Sequence, residues 1–239
     1  GASGPYSTVL AIHGGPASAF SDRFMGNWHD WAQLLAAAGF AVLMPNPRGS
    51  TGRGAAFTEA NFRDLGGAEL EDNLAGLDYL IKRGTVDPDR LAVAGWSHGG
   101  YMTAWTVTQT NRFKAAVMGA GLSNLVSDQG TNDIPVFNLD YFYDSYGALY
   151  RDPALLWERS PLKHVARVTT PTLILHGEKD ERVSVSQGRE FYQALRSLGV
   201  PCEMVVYPRE PHGLREREHQ LDLQRRIVAW LKRYTARTQ

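Results

Sequence analysis

One cysteine, Cys202, is all the chain has, so no internal disulfide can form; it lies in the apolar run CEMVVY and reads as a small core residue rather than a reactive thiol. Net charge is absent too. Lys plus Arg and Asp plus Glu number 25 each, which leaves no bulk field to concentrate nucleic acid or an anionic membrane. No run approaches the roughly 18 consecutive apolar residues of a membrane helix, and the N-terminus lacks the charged-then-apolar order of a secretory signal. Neither nucleic acid nor membrane is expected as a partner, and the cytoplasm is the expected compartment. Repeats, low-complexity tracts and Pro/Ser-rich linkers are missing as well. With 239 residues and 43% hydrophobic composition, residues 1–239 are expected to fold as one domain with a substantial core.

What the chain does contain is a rhythm. Short apolar, β-branched runs at 7–14, 40–46, 90–96, 114–120, 171–177 and 202–208 alternate with amphipathic segments near 27–38, 68–83, 98–110, 185–199 and 217–235. Most of the short runs are apolar on both faces, as parallel strands covered by helices on each side require. The alternation predicts an α/β fold, a doubly wound and mostly parallel sheet with helices on both faces. Residues 121–165, rich in Tyr, Phe, Asp and Pro, break the rhythm and read as an excursion that covers or lines a site.

Ligand chemistry in such a sheet gathers outside the carboxyl ends of the strands. At one such end, Gly95-Trp96-Ser97-His98-Gly99 fits G-x-S-x-G, the sharp strand-to-helix turn that exposes a serine hydroxyl and needs glycines where side chains would collide. The alternative is an ordinary helix entry capped by serine. A serine nucleophile needs a base and a group to orient that base, in the chain order Ser, acid, His. Of the seven histidines, His212 alone follows both the serine and an acidic loop and lies directly beyond a strand, so it is the candidate base; His219, in LREREHQ, reads as a solvated helix residue. Glu178, Asp180 and Glu181 share the loop after 171–177. Asp180 is the choice, with the other two read as spectators paired to Lys179 or Arg182. The turn at His13-Gly14-Gly15-Pro16 leaves backbone N–H groups unobstructed, and Gly15 N–H with His98 N–H forms the candidate oxyanion hole.

These stretches carry a resemblance. HGGP (13–16), PNPRGSTGRG (45–54), GWSHGGYM (95–102), WERSPLKHV (157–165), LILHGEKDERV (173–183) and YPREPHGL (207–214) together resemble the catalytic domain of the prolyl oligopeptidase family of serine peptidases, nearest its acylaminoacyl-peptidase branch. The resemblance implies an α/β-hydrolase fold that uses Ser97, Asp180 and His212 to cleave short peptides, with an N-terminal β-propeller limiting substrate size. The propeller and the first strands of the sheet are not in these 239 residues, so the chain is expected to be a catalytic domain whose strand at 40–46 has an unpaired edge.

A second departure is Arg53, where many members of the family have a tyrosine that donates to the oxyanion. A guanidinium there could clamp a substrate carboxylate through two parallel hydrogen bonds and favour cleavage near a free C-terminus; alternatively it points to solvent or pairs with Glu59 or Asp64. Trp105, Phe137, Tyr141, Phe142, Tyr143 and Tyr146 read mainly as core or covering residues. Arg53, Phe137, Tyr141 and Val183 are the substrate-binding candidates. No cofactor is needed, the histidines lack metal-ligand spacing, and a homo-oligomer is left open. A carboxylesterase and a non-catalytic interaction domain are the competing functions.

Overall fold

The computed structural model describes residues 4–143 and 146–236, without the side chain of Tyr146. Strands β1 (Tyr6–Ile12), β2 (Ala41–Leu43), β3 (Val86–Trp96), β4 (Ala115–Gly119), β5 (Thr172–Gly177) and β6 (Cys202–Tyr207) form one sheet in the order β2-β1-β3-β4-β5-β6. Every neighbouring pair is parallel. The central strands β4 and β5 are buried along their whole length, whereas β2 and β6, at the edges, are only partly so. That burial explains why the apolar runs show no alternation.

Helices cover both faces. Odd and even strand positions separate the core into two clusters. Leu10, Val93, Met118 and Ile174 face α3 (Ala68–Lys82), α4 (His98–Gln109) and α9 (Val185–Ser197). Val9, Ala94, Val117 and Leu175 face α1 (Ala32–Ala37) and α10 (Arg217–Thr235). Fully buried side chains such as Leu10, Leu77 and Phe191 each contribute roughly 1.5–3 kcal/mol by leaving water. Helix α4 is buried from His98 through Thr108, as a helix enclosed on every side must be.

Three expected boundaries move. Trp31 Nε1–H donates to the Trp28 carbonyl at 2.9 Å, and the Trp28 ring stands edge-on to Trp96 at 4.9 Å. Residues 27–31 therefore wrap over the sheet, and the helix expected from 27 begins at Ala32. β2 covers 41–43 rather than 40–46 because it pairs with β1 alone; its outer edge meets no other strand among the described residues. β3 starts at Val86, where it pairs with Tyr6. The excursion at 121–165 holds α5 (Leu125–Asp128), α6 (Phe137–Phe142), α7 (Tyr146–Arg151), α8 (Ala154–Glu158) and a 3₁₀ segment at Pro161–Arg167; α2 (Ala55–Thr58) lies earlier in the chain. Among the described residues, no helix is long and apolar enough to cross a membrane.

Because β1 leads outward to β2 and the chain then returns to β3 on the other side of β1, the strand order reverses between β1 and β3. This is the place where an open α/β sheet leaves a crevice at its carboxyl edge. β1 delivers His13-Gly14-Gly15 to it, and β3 delivers Ser97.

Candidate active site

Ser97 occupies the step between β3 and α4 with φ +62°, a left-handed conformation rarely adopted by residues other than glycine. Its neighbours make that turn possible. A Cβ on Gly95 would overlap the backbone of Gly99, and one on Gly99 would overlap the Ile12 carbonyl. The serine stands at the N-cap position of α4 yet makes no side-chain capping bond, so its hydroxyl is directed elsewhere.

That hydroxyl donates to His212 Nε2 at 2.9 Å, and His212 Nδ1–H donates to Asp180 Oδ2 at 2.8 Å. The other carboxylate oxygen accepts the backbone N–H groups of Arg182 (3.0 Å) and Val183 (2.9 Å), which fixes the side chain in its socket. Burial alone would raise the Asp180 pKa, but hydrogen bonds and charge from His176 and His212 outweigh it and hold the carboxyl at about 2. It is ionised wherever the imidazole can act as a base. His212 is anchored in turn: its carbonyl accepts Trp96 Nε1–H at 3.0 Å.

The acid and base loops are also tied to each other. Glu178 N–H meets the Tyr207 carbonyl at 2.9 Å, Lys179 N–H the Glu210 carbonyl at 2.8 Å, and Arg209 N–H the Glu178 carboxylate at 2.8 Å. Glu178 is thus a structural acceptor rather than a partner of Lys179 or Arg182, and Arg182 pairs instead with Asp133. His219 differs from expectation in the same way. It is mostly buried and lies 2.8 Å from the buried Glu210 carboxylate, which also accepts the N–H groups of Arg215 and Glu216. No sequence pattern announced this; Glu210 and His219 lie nine residues apart, across the turn into α10.

Gly14 lies against the nucleophile, for a Cβ there would stand 3.6 Å from Ser97 Cβ. His13 Nδ1 is 2.7 Å from the Gly14 carbonyl and Nε2 is 2.9 Å from Ser50 Oγ. The carbonyl can only accept, so Nδ1 carries the proton and the Ser50 hydroxyl donates to Nε2. Burial keeps the His13 pKa below its usual value, consistent with that neutral form. The peptide between Gly14 and Gly15 is fixed by this bond, with its N–H on the side opposite the carbonyl. His98 N–H belongs to the first turn of α4, where no intrahelical acceptor exists.

A cavity of about 510 Å³ opens beside Ser97 and His212, walled by Gly14, Gly15, Trp28 and Trp31. None of the four substrate-binding candidates lines this cavity. Val183 is buried in the core behind Asp180. Phe137 and Tyr141 pack together at 4.9 Å on α6, with the Tyr141 hydroxyl against the Ala17 backbone. Arg53 is exposed over the Phe57 ring at 5.3 Å; Asp64, one of its expected partners, pairs instead with Arg159 at 2.7 Å. Trp105 is a core residue whose indole donates to the Gly66 carbonyl. The Tyr146 side chain lies outside the described residues.

Behind the acid loop sits Asp128, almost fully buried, with one carboxylate oxygen bonded to Asn132 and the other without a partner. Burial, opposed by the Asn132 bond and assisted by the charge of Asp180, pushes its carboxyl up to about 7. The fold accommodates the protonated acid. Stability is therefore fully present below the unfolded carboxyl value of 3.8 and is lost as pH rises to about 7. Asp128→Asn is expected to leave stability at pH 4 unchanged and to raise it at pH 8 by on the order of 3 kcal/mol, read from urea midpoints.

Comparison with known proteins gives the family. The sequence profile of the prolyl oligopeptidase family matches residues 28–238. A Bacillus subtilis (strain 168) protein, uncharacterized peptidase YuxL, is 42% identical over 215 residues, covering 90% of this chain and 32% of its own length. Acylamino-acid-releasing enzyme 1 of Oryza sativa subsp. japonica is 30% identical over 238 residues, covering 96% of this chain and 30% of its own. The solved acylaminoacyl peptidase of Pyrococcus horikoshii superposes with a TM-score of 0.90 at 26% identity, over 98% of this chain and 38% of the other. The chain thus spans about a third of the length of these relatives. With the serine turn at the end of β3, the histidine loop beyond β6 and the profile running through both, the chain belongs to the prolyl oligopeptidase family.

Proposed function

We propose that this chain is the catalytic unit of a serine peptidase acting on short peptides, N-acylated ones included. The observation that supports this most directly is the unbroken hydrogen-bonded line from Ser97 through His212 to Asp180 at the sheet's carboxyl edge. In this reading Ser97 Oγ attacks the scissile carbonyl while His212 Nε2 takes its proton, and the imidazolium is stabilised by the Asp180 carboxylate. The N–H groups of Gly15 and His98 receive the developing oxyanion. Collapse breaks the C–N bond as His212 returns the proton to the leaving amine; water then releases the acyl group by the same steps. In this reading the cavity beside His212 receives the leaving portion. The names of two relatives, an acylamino-acid-releasing enzyme and an acylaminoacyl peptidase, favour amides over esters. We assign a β-propeller to the remainder of the full-length protein and take the compartment to be cytoplasmic, a reducing setting that suits a single cysteine.

The test uses the full-length protein with a fluorophosphonate probe, N-acetylaminoacyl p-nitroanilides and p-nitrophenyl esters. Labelling of Ser97 together with anilide turnover is expected. Ester turnover alone would reassign the protein as an esterase, and absence of labelling would leave a binding domain. A second reading, cleavage next to a free C-terminus, is favoured by the Arg53 guanidinium, which has no carboxylate partner among the described residues. Equal hydrolysis of a peptide and its C-terminally amidated twin eliminates it.

A further inference from the structure

The two residues that flank the oxyanion site in sequence, His13 and His98, are both buried histidines, but they are held differently. The His13 ring is satisfied at both nitrogens. The His98 ring, 3% exposed, has one polar anchor among the described residues: its Nε2 lies 2.9 Å from Glu69 Oε1, while Nδ1 has no partner. Glu69, at the N-terminal end of α3, is equally buried. Its Oε2 accepts the Gly66 N–H at 2.8 Å, and its Oε1 also meets Asn61 Nδ2 at 3.4 Å. A buried carboxylate held by its own neighbours is costly to form unless it is fully bonded, and here its remaining bond goes to the residue after the nucleophile.

The surrounding chain explains why that anchor matters. From 97 to 100 the sequence is Ser-His-Gly-Gly, with Ser97 in a strained conformation and the two glycines free of side chains. Ser97 spends its hydroxyl on His212, so the bond from the His98 ring to Glu69 is what ties this turn to a distant element outside the triad. The ring's other support is Tyr101, tilted at 5.5 Å.

We propose that Glu69 is a positioning residue for the oxyanion site: by bonding the His98 ring it fixes the backbone N–H of His98 in the direction that the developing oxyanion requires. This rests on the peptidase reading above. Glu69 touches no reacting atom and acts only through His98.

The experiment compares wild type, Glu69→Ala and Glu69→Gln on an N-acetylaminoacyl p-nitroanilide. It also measures binding of a peptide aldehyde, whose hemiacetal oxygen occupies the oxyanion position, and the low-field proton resonance of the His212 Nδ1–H bond to Asp180. Glu69→Ala is expected to lose roughly 10- to 100-fold in kcat, less than the loss of a whole donor, with KM changed under twofold. Aldehyde affinity should fall by the same factor while the low-field resonance persists. Glu69→Gln should recover most of the activity. Its oxygen keeps the Gly66 bond, and His98 can shift its proton to Nδ1 and accept from the amide. If Glu69→Ala does not fold, His98→Phe deletes the same bond from the other side and is read by the same criteria. Wild-type kcat in the variant, loss of kcat without loss of aldehyde affinity, or disappearance of the low-field resonance overturns the assignment. An inactive wild type overturns the peptidase reading itself.

Discussion

Ser97→Ala is expected to reduce kcat by roughly 10⁵- to 10⁶-fold and to abolish fluorophosphonate labelling, with the fold intact. The size follows from the chemistry: without Oγ there is no acyl intermediate, and only binding and the oxyanion donors remain to accelerate attack by water. That the fold survives follows from the structure. The hydroxyl makes no capping bond to α4, and alanine inherits the same backbone, so the stability change should stay within about 0.5 kcal/mol. A serine that merely capped the helix would behave in the opposite way, costing about 1 kcal/mol of stability and no activity. Measuring kcat and the urea midpoint of the same preparation separates the two.

Asp180→Asn should lower kcat by about 10⁴-fold. The asparagine oxygen can keep the bonds from Arg182 N–H and Val183 N–H, which turns its NH₂ group toward His212 Nδ1. The imidazole must then carry its proton on Nε2, facing Ser97, and cannot accept one from it. The stability consequence has a defined direction. The Asp180 carboxyl lies below its ordinary value of 3.8, at about 2, so its contribution is present above 3.8 and lost as pH falls to about 2. The variant should accordingly be less stable than wild type at pH 7, by on the order of 2 kcal/mol, and equal to it at the acid end. Retention of activity by Asp180→Asn would remove the carboxylate from the mechanism.

The parts of the architecture that were legible in the sequence are those set by short-range pattern. Parallel strands buried on both faces leave unbroken apolar runs, so 171–177 and 114–120 mark β5 and β4 closely, and the glycines around Ser97 mark the turn after β3. The loops after β5 and β6 could be named because chain order alone puts Asp180 and His212 beyond adjacent strands. What was not legible depends on contacts between distant elements. Residues 27–31 have helical spacing, but the Trp28 and Trp31 indoles draw them over Trp96. His219 sits in a charged stretch that reads as solvated until Glu210 is seen buried beneath it. The bond between Glu69 and His98 spans 29 residues, and nothing in either local sequence signals the other. Val183, a substrate-binding candidate, is buried among the core side chains, and its local sequence does not signal that burial.

The bonds that join the loop of Asp180 to the loop of His212 run from backbone to backbone and to the Glu178 carboxylate. The carboxylate and the imidazole are therefore splinted together, and the Trp96 indole, bonded to the His212 carbonyl, links that splint to the strand that ends at Ser97. The alignment of Nε2 with Oγ is thus set by bonds between loops, made at positions removed from both atoms.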